Sequence, residues 1–250
     1  MCAPRISRTT RSSIDPGPKV DDLQAGATDI IVPVILSQDA DVLVVHKAAG
    51  TPVQTDATGD LDLLTRLRQQ FKEPGIGLVH RLDRPVSGVV LFSRNAKSLT
   101  NLSDQFQDRQ VVKVYWAIVE GAMKTMVLDH MIEHDAYHHK ARIGAASSSG
   151  KQARTAVRMM AQGDRYTLVE VIPEGGAFHQ IRAQLGAAGH SIKGDVKYGA
   201  RRGEKDRSIA LHARSVTFDH PTTGERVTRS APPPVLPLWQ ALIDRMGTRG

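Results

Sequence analysis

Residues 77–94 read GLVHRLDRPVSGVVLFSR. GLVH has the content of a short strand, VVLFSR reads as a second one, and Pro85, Ser87 and Gly88 supply the breakers of a loop between them. Asp83 therefore sits in a strand-to-strand loop, with His80 and Arg81 before it and Arg84 after it. A carboxylate between two guanidinium-bearing neighbours is biased toward its ionised form, as a nucleophile or a base requires. On spacing alone, an exposed aspartate in a basic loop is the commoner meaning of such a stretch, so the rest of the chain has to decide.

Working outward, apolar runs separated by turn residues begin at Asp29. Residues 30–36 (IIVPVIL) and 41–47 (DVLVVHK) read as strands, the second closing at Ala49, Gly50 and Pro52. Leu61, Leu64, Leu67 and Phe71 form a helical stripe. Asn95 is a natural cap for a helix carrying Leu99, Leu102 and Phe106 on one face and ending near Arg109. Residues 111–121 (VVKVYWAIVEG) alternate as a strand. Val112, Val114, Trp116 and Ile118 are the expected core face, and Lys113, Tyr115, Ala117 and Val119 the other, with Tyr115 on the more polar side. A flexible connection at 145–152 leads to strands at 153–160 and 166–172. After Gly175 and Gly176 comes a helix with Phe178, Ile181, Leu185 and Ala188 on one face, Arg182 beside that stripe and Gly189 closing it. A strand at 209–218, a turn at 220–225, another strand, three prolines and a helix around Leu238 to Met246 complete the chain. Strands outnumber helices and several are hairpin-linked. The expected fold is α+β, with a mixed, mostly antiparallel central sheet flanked by helices.

The chain has 250 residues, 40% of them hydrophobic, enough for one full core. Its apolar runs are strand-length, far below the roughly 20 residues that cross a bilayer, so no membrane partner is expected. A single cysteine, Cys2, cannot form an internal disulfide, and a reducing compartment follows. A formal charge of +7 points to a polyanionic partner. Residues 1–27 carry Arg5, Arg8 and Arg11 with no acidic residue before Asp15, and are expected to be a disordered tail. The same composition suits an organelle transit segment, but a cytoplasmic protein is the expectation. His130, Glu133 and His134 spell HxxEH, a zinc motif where it lies on a helix. Here Asp129 and Asp135 interleave, no long helix is convincing, and a sheet-edge segment without metal is expected instead.

HRLDRPVSGVVLF resembles the catalytic motif of the RluA-type pseudouridine synthases, the rRNA and tRNA uridine isomerases. Four more blocks stand in that family's order: VVHKAAGTPV before it, then QFQDRQVVKVYWAIVEG, HQIRAQLGAAGHSIKGDVKYG and LHARSVTFDHPTTGE after it. The resemblance implies the pseudouridine synthase fold over residues 28–250, an RNA partner (rRNA or tRNA), a monomer, and neither metal nor organic cofactor. It implies that Asp83 performs the isomerisation, that Tyr115 stacks on the flipped base, and that Arg182 pairs with the carboxylate. It also implies that Arg81 fills the gap the uridine leaves. His80, Arg84, Lys113, His179, Gln180, Lys193 and Lys197 are the further expected RNA-binding residues, with Arg201 and Arg202 as additional phosphate contacts. His179 and His212 read as hydrogen-bonded structural residues rather than acid–base catalysts. Four positions depart from the family pattern: Val86 for a threonine, Ala177 for a cation, and His46 and Ala48 for Asn and Pro. The alternative function is a catalytically silent RNA-binding protein of this fold, acting in ribosome assembly.

Overall fold

The β-branched runs become strands where their backbones can pair with neighbours and at least one face can pack against other elements. In the computed structural model, which describes residues 33–144 and 150–246, the first half comprises β1 (Val34–Gln38), β2 (Val42–Lys47), α1 (Leu63–Phe71), β3 (Gly77–Leu78), β4 (Ser87–Ser93), α2 (Ala96–Gln107) and β5 (Val112–Glu120). The second half comprises β6 (Met126–Asp135), β7 (Lys140–Ile143), β8 (Lys151–Gln162), β9 (Tyr166–Pro173), α3 (Gln180–Ala187), β10 (Leu211–Asp219), β11 (Arg226–Ser230) and α4 (Pro237–Asp244). The strands form one sheet in the order β1-β2-β4-β10-β5-β9-β8-β6-β7, with β3 on β4 and β11 on β10. Its pairs are antiparallel except β4 with β10. The expected α+β class and the mixed, mostly antiparallel sheet are therefore what the chain forms.

The parallel pair fixes where the loop around Asp83 lies. Gly88 pairs with Ala213 of β10, which pairs with Tyr115 of β5, which pairs with Val171 of β9. On the other side Gly88 pairs with Lys47 of β2. One row across the sheet thus carries Lys47, Gly88, Ala213 and Tyr115, and the loop enters β4 at its end. Gly88 is required there: its φ is +122°, and a Cβ would stand 2.3 Å from the Ala213 carbonyl oxygen.

Three sequence expectations shift. Helix α1 begins at Leu63, with Asp62 as its cap, because the Asp62 carboxylate accepts from Thr65 N–H at 2.9 Å. Its buried residues are Leu63 and Leu67, while Leu61 is exposed. In β5 the expected core face is wrong in part. Val112 is exposed, whereas Ala117 and Val119 are fully buried in the main core and Tyr115 packs against it. Trp116 and Ile118 lie on the opposite face, covered by Trp239 and Leu242 of α4. Both faces of β5 are occupied, which alternation alone cannot reveal. Finally, α2 ends at Gln107 and Arg109 lies beyond it at a positive φ of 59°. The tail of residues 1–27, Cys2 and most of the 145–152 connection lie outside the described residues.

Candidate active site

The cleft above the row just described has a volume of about 630 Å³ and is lined by Arg81, Asp83, Tyr115, His179, Arg182 and Arg109, among others. The loop is braced from below. Lys47 is 1% exposed, and its ammonium donates to the carbonyls of Arg84, Thr51 and Ala48 at 3.0, 2.9 and 3.1 Å. Ser87 and His212, opposite each other in the parallel pair, are joined by a 2.9 Å hydrogen bond.

Arg182 is delivered by α3, whose residues from Gln180 to Leu185 are all buried, so the guanidinium enters the cleft from a packed helix. Its Nη1 donates to Asp83 Oδ2 at 3.0 Å, while Nε and Nη2 grip the two oxygens of Asp195 at 2.6 and 2.8 Å. The ion pair anticipated between residues almost a hundred positions apart is formed. Burial works against the Arg182 charge, but the hydrogen bonds and charge of Asp195, then of Asp83, outweigh it and hold the group protonated above its ordinary range. The Tyr198 ring lies 5.1 Å beneath the guanidinium, a cation–π arrangement. His179 Nε2 stands 3.4 Å from the same Asp83 oxygen. Burial lowers the imidazole to about 4, against the pull of Asp83, so the ring is neutral near pH 7. Burial, reinforced by the Asp83 charge, raises Tyr115 well above the usual phenol range, so it meets the cleft as a neutral ring. The arrangement is a fixed carboxylate, one oxygen tied down, facing a cleft with an aromatic wall.

A family model described as RNA pseudouridylate synthase matches residues 41–187. The chain belongs to the RNA pseudouridylate synthase family. Over 243 residues it is 32% identical to the tRNA pseudouridine synthase C of Haemophilus ducreyi, covering 85% of this chain and 95% of that one. It is 30% identical to the ribosomal large subunit pseudouridine synthase C of Yersinia pestis, covering 92% of this chain and 73% of that one. The solved structure of human RNA pseudouridylate synthase domain containing 1 superposes with a TM-score of 0.71 at 27% identity, covering 88% and 90% of the two chains. The protein is a pseudouridine synthase, an isomerase acting on RNA.

Against that identity the expected residues sort into three groups. Asp83, Tyr115, Arg182, Arg81, His179, His80, Lys113 and Gln180 line the cleft. Three of these are turned to structural use. The His80 Nε2 accepts Leu91 N–H at 3.0 Å with its ring stacked on Phe106, Gln180 donates to the Arg154 carbonyl and to Thr155, and Lys113 donates to the Gly175 carbonyl at 2.6 Å. The third group lies outside the cleft. Arg84 turns away from the cleft to bind Thr58, Asp56, Asp60 and the Gly50 carbonyl. Lys193 pairs with Glu204, Lys197 donates to the His139 carbonyl, and Arg201 faces Glu120. Arg84 and these cations do not line the cleft. The exposed cations that do, beside Arg81, are Arg109 and Lys151, which the sequence reading passed over. Arg109 lies inside the quoted block QFQDRQVVKVYW, just past the end of α2 at a positive φ, where it borders the cleft. The HxxEH stretch lies on strand β6, where His130 and His134 share a face and Glu133 takes the other, unlike the helical zinc motif.

Proposed function

We propose that the cleft around Asp83 is where this enzyme isomerises selected uridines of ribosomal or transfer RNA. Asp83 is the reacting carboxylate, Tyr115 the face against the extruded base, and Arg81 the side chain that enters the vacated stack. Extruding a base costs a few kcal/mol, and an aromatic platform with a filler for the gap lowers that cost. The isomerisation breaks the C1′–N1 bond and makes a C1′–C5 bond, with the proton on C5 lost and one taken up at N1, so that no atom is gained or lost. A carboxylate serves this by attacking C1′ or by taking a proton from C2′. Both routes need it charged in a cleft that loses water when RNA binds.

The observation that carries the reading is the 3.0 Å contact of Arg182 with Asp83. A silent RNA-binding protein has no use for a buried arginine fixing one oxygen of a cleft carboxylate, whereas the chemistry does. Arg81 and Arg109 form no side-chain hydrogen bonds among the described residues, and with the exposed Lys151 they are placed to meet phosphates. The names of the relatives, one acting on tRNA and another on the large ribosomal subunit, support this substrate class.

Pseudouridine mapping of total RNA from a deletion strain, complemented with wild type or with Asp83→Asn, tests the proposal. Wild type should restore the missing sites and Asp83→Asn none, while the variant still binds RNA within about tenfold because the phosphate-facing charge is nearly unchanged. Turnover by Asp83→Asn near the wild-type rate would remove Asp83 from the role.

A further inference from the structure

His179 is built into its position at a conformational cost. It takes φ 52° and ψ 24°, the left-handed region that non-glycine residues avoid, at the start of α3, yet its side chain does not cap that helix. The ring is instead stacked on Phe178, with centroids 3.8 Å apart and planes at 21°, and meets the Tyr198 ring edge-on. Such strain survives where the surrounding structure over-determines it, and here that structure points the imidazole at Asp83.

The two ring nitrogens have different partners. Nδ1 is 2.8 Å from the Tyr198 hydroxyl, and that hydroxyl accepts the Ala141 N–H at 2.7 Å. With an acceptor site already used by a main-chain amide, the hydroxyl's own proton has His179 Nδ1 as its partner among the described residues. Tyr198 keeps that proton, because burial pushes it up to about 12. These partners are all served when the imidazole carries its hydrogen on Nε2, which lies 3.4 Å from Asp83 Oδ2, a close approach rather than a formed hydrogen bond. The other tautomer would set a lone pair against the carboxylate and leave the Tyr198 proton without an acceptor. Arg182 Nη1 donates to the same Oδ2, while Asp83 Oδ1 has no partner among the described residues.

We infer that His179 is a positioning residue: Tyr198 fixes it as the neutral Nε2–H tautomer, and with Arg182 it ties down Oδ2 of Asp83 so that Oδ1 is the oxygen that reacts. The inference rests on Asp83 being the catalytic carboxylate. Asp195 and Tyr198 come from one short segment, the latter in the 3-10 turn Val196–Tyr198. That segment therefore sets both donors, gripping Arg182 through the first residue and orienting His179 through the second.

Three measurements test this. Two-bond proton–nitrogen NMR of the ring at pH 7 should show His179 protonated on Nε2 and bare on Nδ1, and Tyr198→Phe should erase that preference. In single-turnover kinetics, His179→Ala should lower the rate roughly three- to tenfold, the scale of an ordinary neutral hydrogen bond, with RNA affinity kept within about threefold. His179→Gln, whose amide N–H can reach the Nε2 position, should recover most of that loss. An Nδ1–H ring in the wild type, an unchanged rate in His179→Ala, or a glutamine variant no better than alanine would overturn the inference. The NMR result is independent of turnover, so a failure of the Asp83 assignment, read from Asp83→Asn, stays distinguishable from a failure of this one.

Discussion

Tyr115 owes its place to strand register, paired to Ala213 on one side and Val171 on the other, so substituting its side chain leaves the backbone supported from both sides. Tyr115→Phe should therefore bind RNA like wild type, while Tyr115→Ala should lose about 1–3 kcal/mol of affinity, the usual worth of base–aromatic stacking. Fluorescence titration with a substrate stem-loop reads both, and equal affinities for all three proteins would make Tyr115 only a strand residue. Arg182 behaves differently, because Asp195 beneath it has a side chain only 1% exposed. Arg182→Ala strands that buried charge and should cost about 3–5 kcal/mol of stability in urea unfolding, besides its effect on turnover. The Asp83–Arg182 pair was legible in the sequence because the blocks containing it carry a family resemblance. Asp195 and Tyr198 sit inside those same blocks, but no spacing rule says that a 3-10 turn brings them back under the guanidinium. Arg84 misled by adjacency: a turn sends neighbouring side chains in opposite directions, and the acids that claim it, Asp56 and Asp60, lie more than twenty positions earlier.

At the scale of elements, each strand was legible where alternation and breakers agreed, and illegible where a distant element decided burial. The two faces of β5 look different in sequence, yet α4, more than a hundred residues later, buries Ile118 as fully as the main core buries Ala117 and Val119, and covers Trp116 in part. Helix α1 shows the same limit at its start. The apolar stripe suggested Leu61, but the cap belongs to Asp62, which is 3% exposed and also accepts hydrogen bonds from the hydroxyls of Thr55 and Thr65 at 3.0 and 2.9 Å. Removing an N-cap costs about 1 kcal/mol as a rule, and up to about 2 in proteins. With two further bonds lost, Asp62→Ala should fall at the upper end of that range. Thermal or urea unfolding measures it, and a loss below a few tenths of a kcal/mol would mean the cap is immaterial.

Across the whole molecule, the histidines around the loop of Asp83 tie stability to pH in a window of their own. Burial lowers His80 to about 3, His179 to about 4 and His212 to about 4, and lowers His46, whose Nε2 is buried without a hydrogen-bond partner among the described residues, in the same direction. In the unfolded chain each titrates near 6.5. As pH falls through that value the unfolded chain takes up protons that the folded protein refuses, so folding stability drops. Each histidine contributes a slope of up to about 1.4 kcal/mol per pH unit, fading once the folded-state pKa is reached. Carboxylates act lower. Hydrogen bonds hold Asp41 at about 2, from Thr222 first, and Asp135 at about 2, from the His138 N–H first. Their stabilising contribution is complete above the ordinary carboxylate pKa and is lost only below about pH 4. The interval from about pH 6.5 to 4.5 therefore isolates the histidines. Urea unfolding across it should show midpoints falling steadily with an unchanged m value, and His212→Asn should flatten the trend by one histidine's share. His212 is the site to change because it is fully buried behind the loop, bonded to Ser87, and away from the cleft lining. A midpoint constant from pH 7 to 4.5 would mean that these rings are not buried as neutral groups, and the bracing of the Asp83 loop would then need a different account.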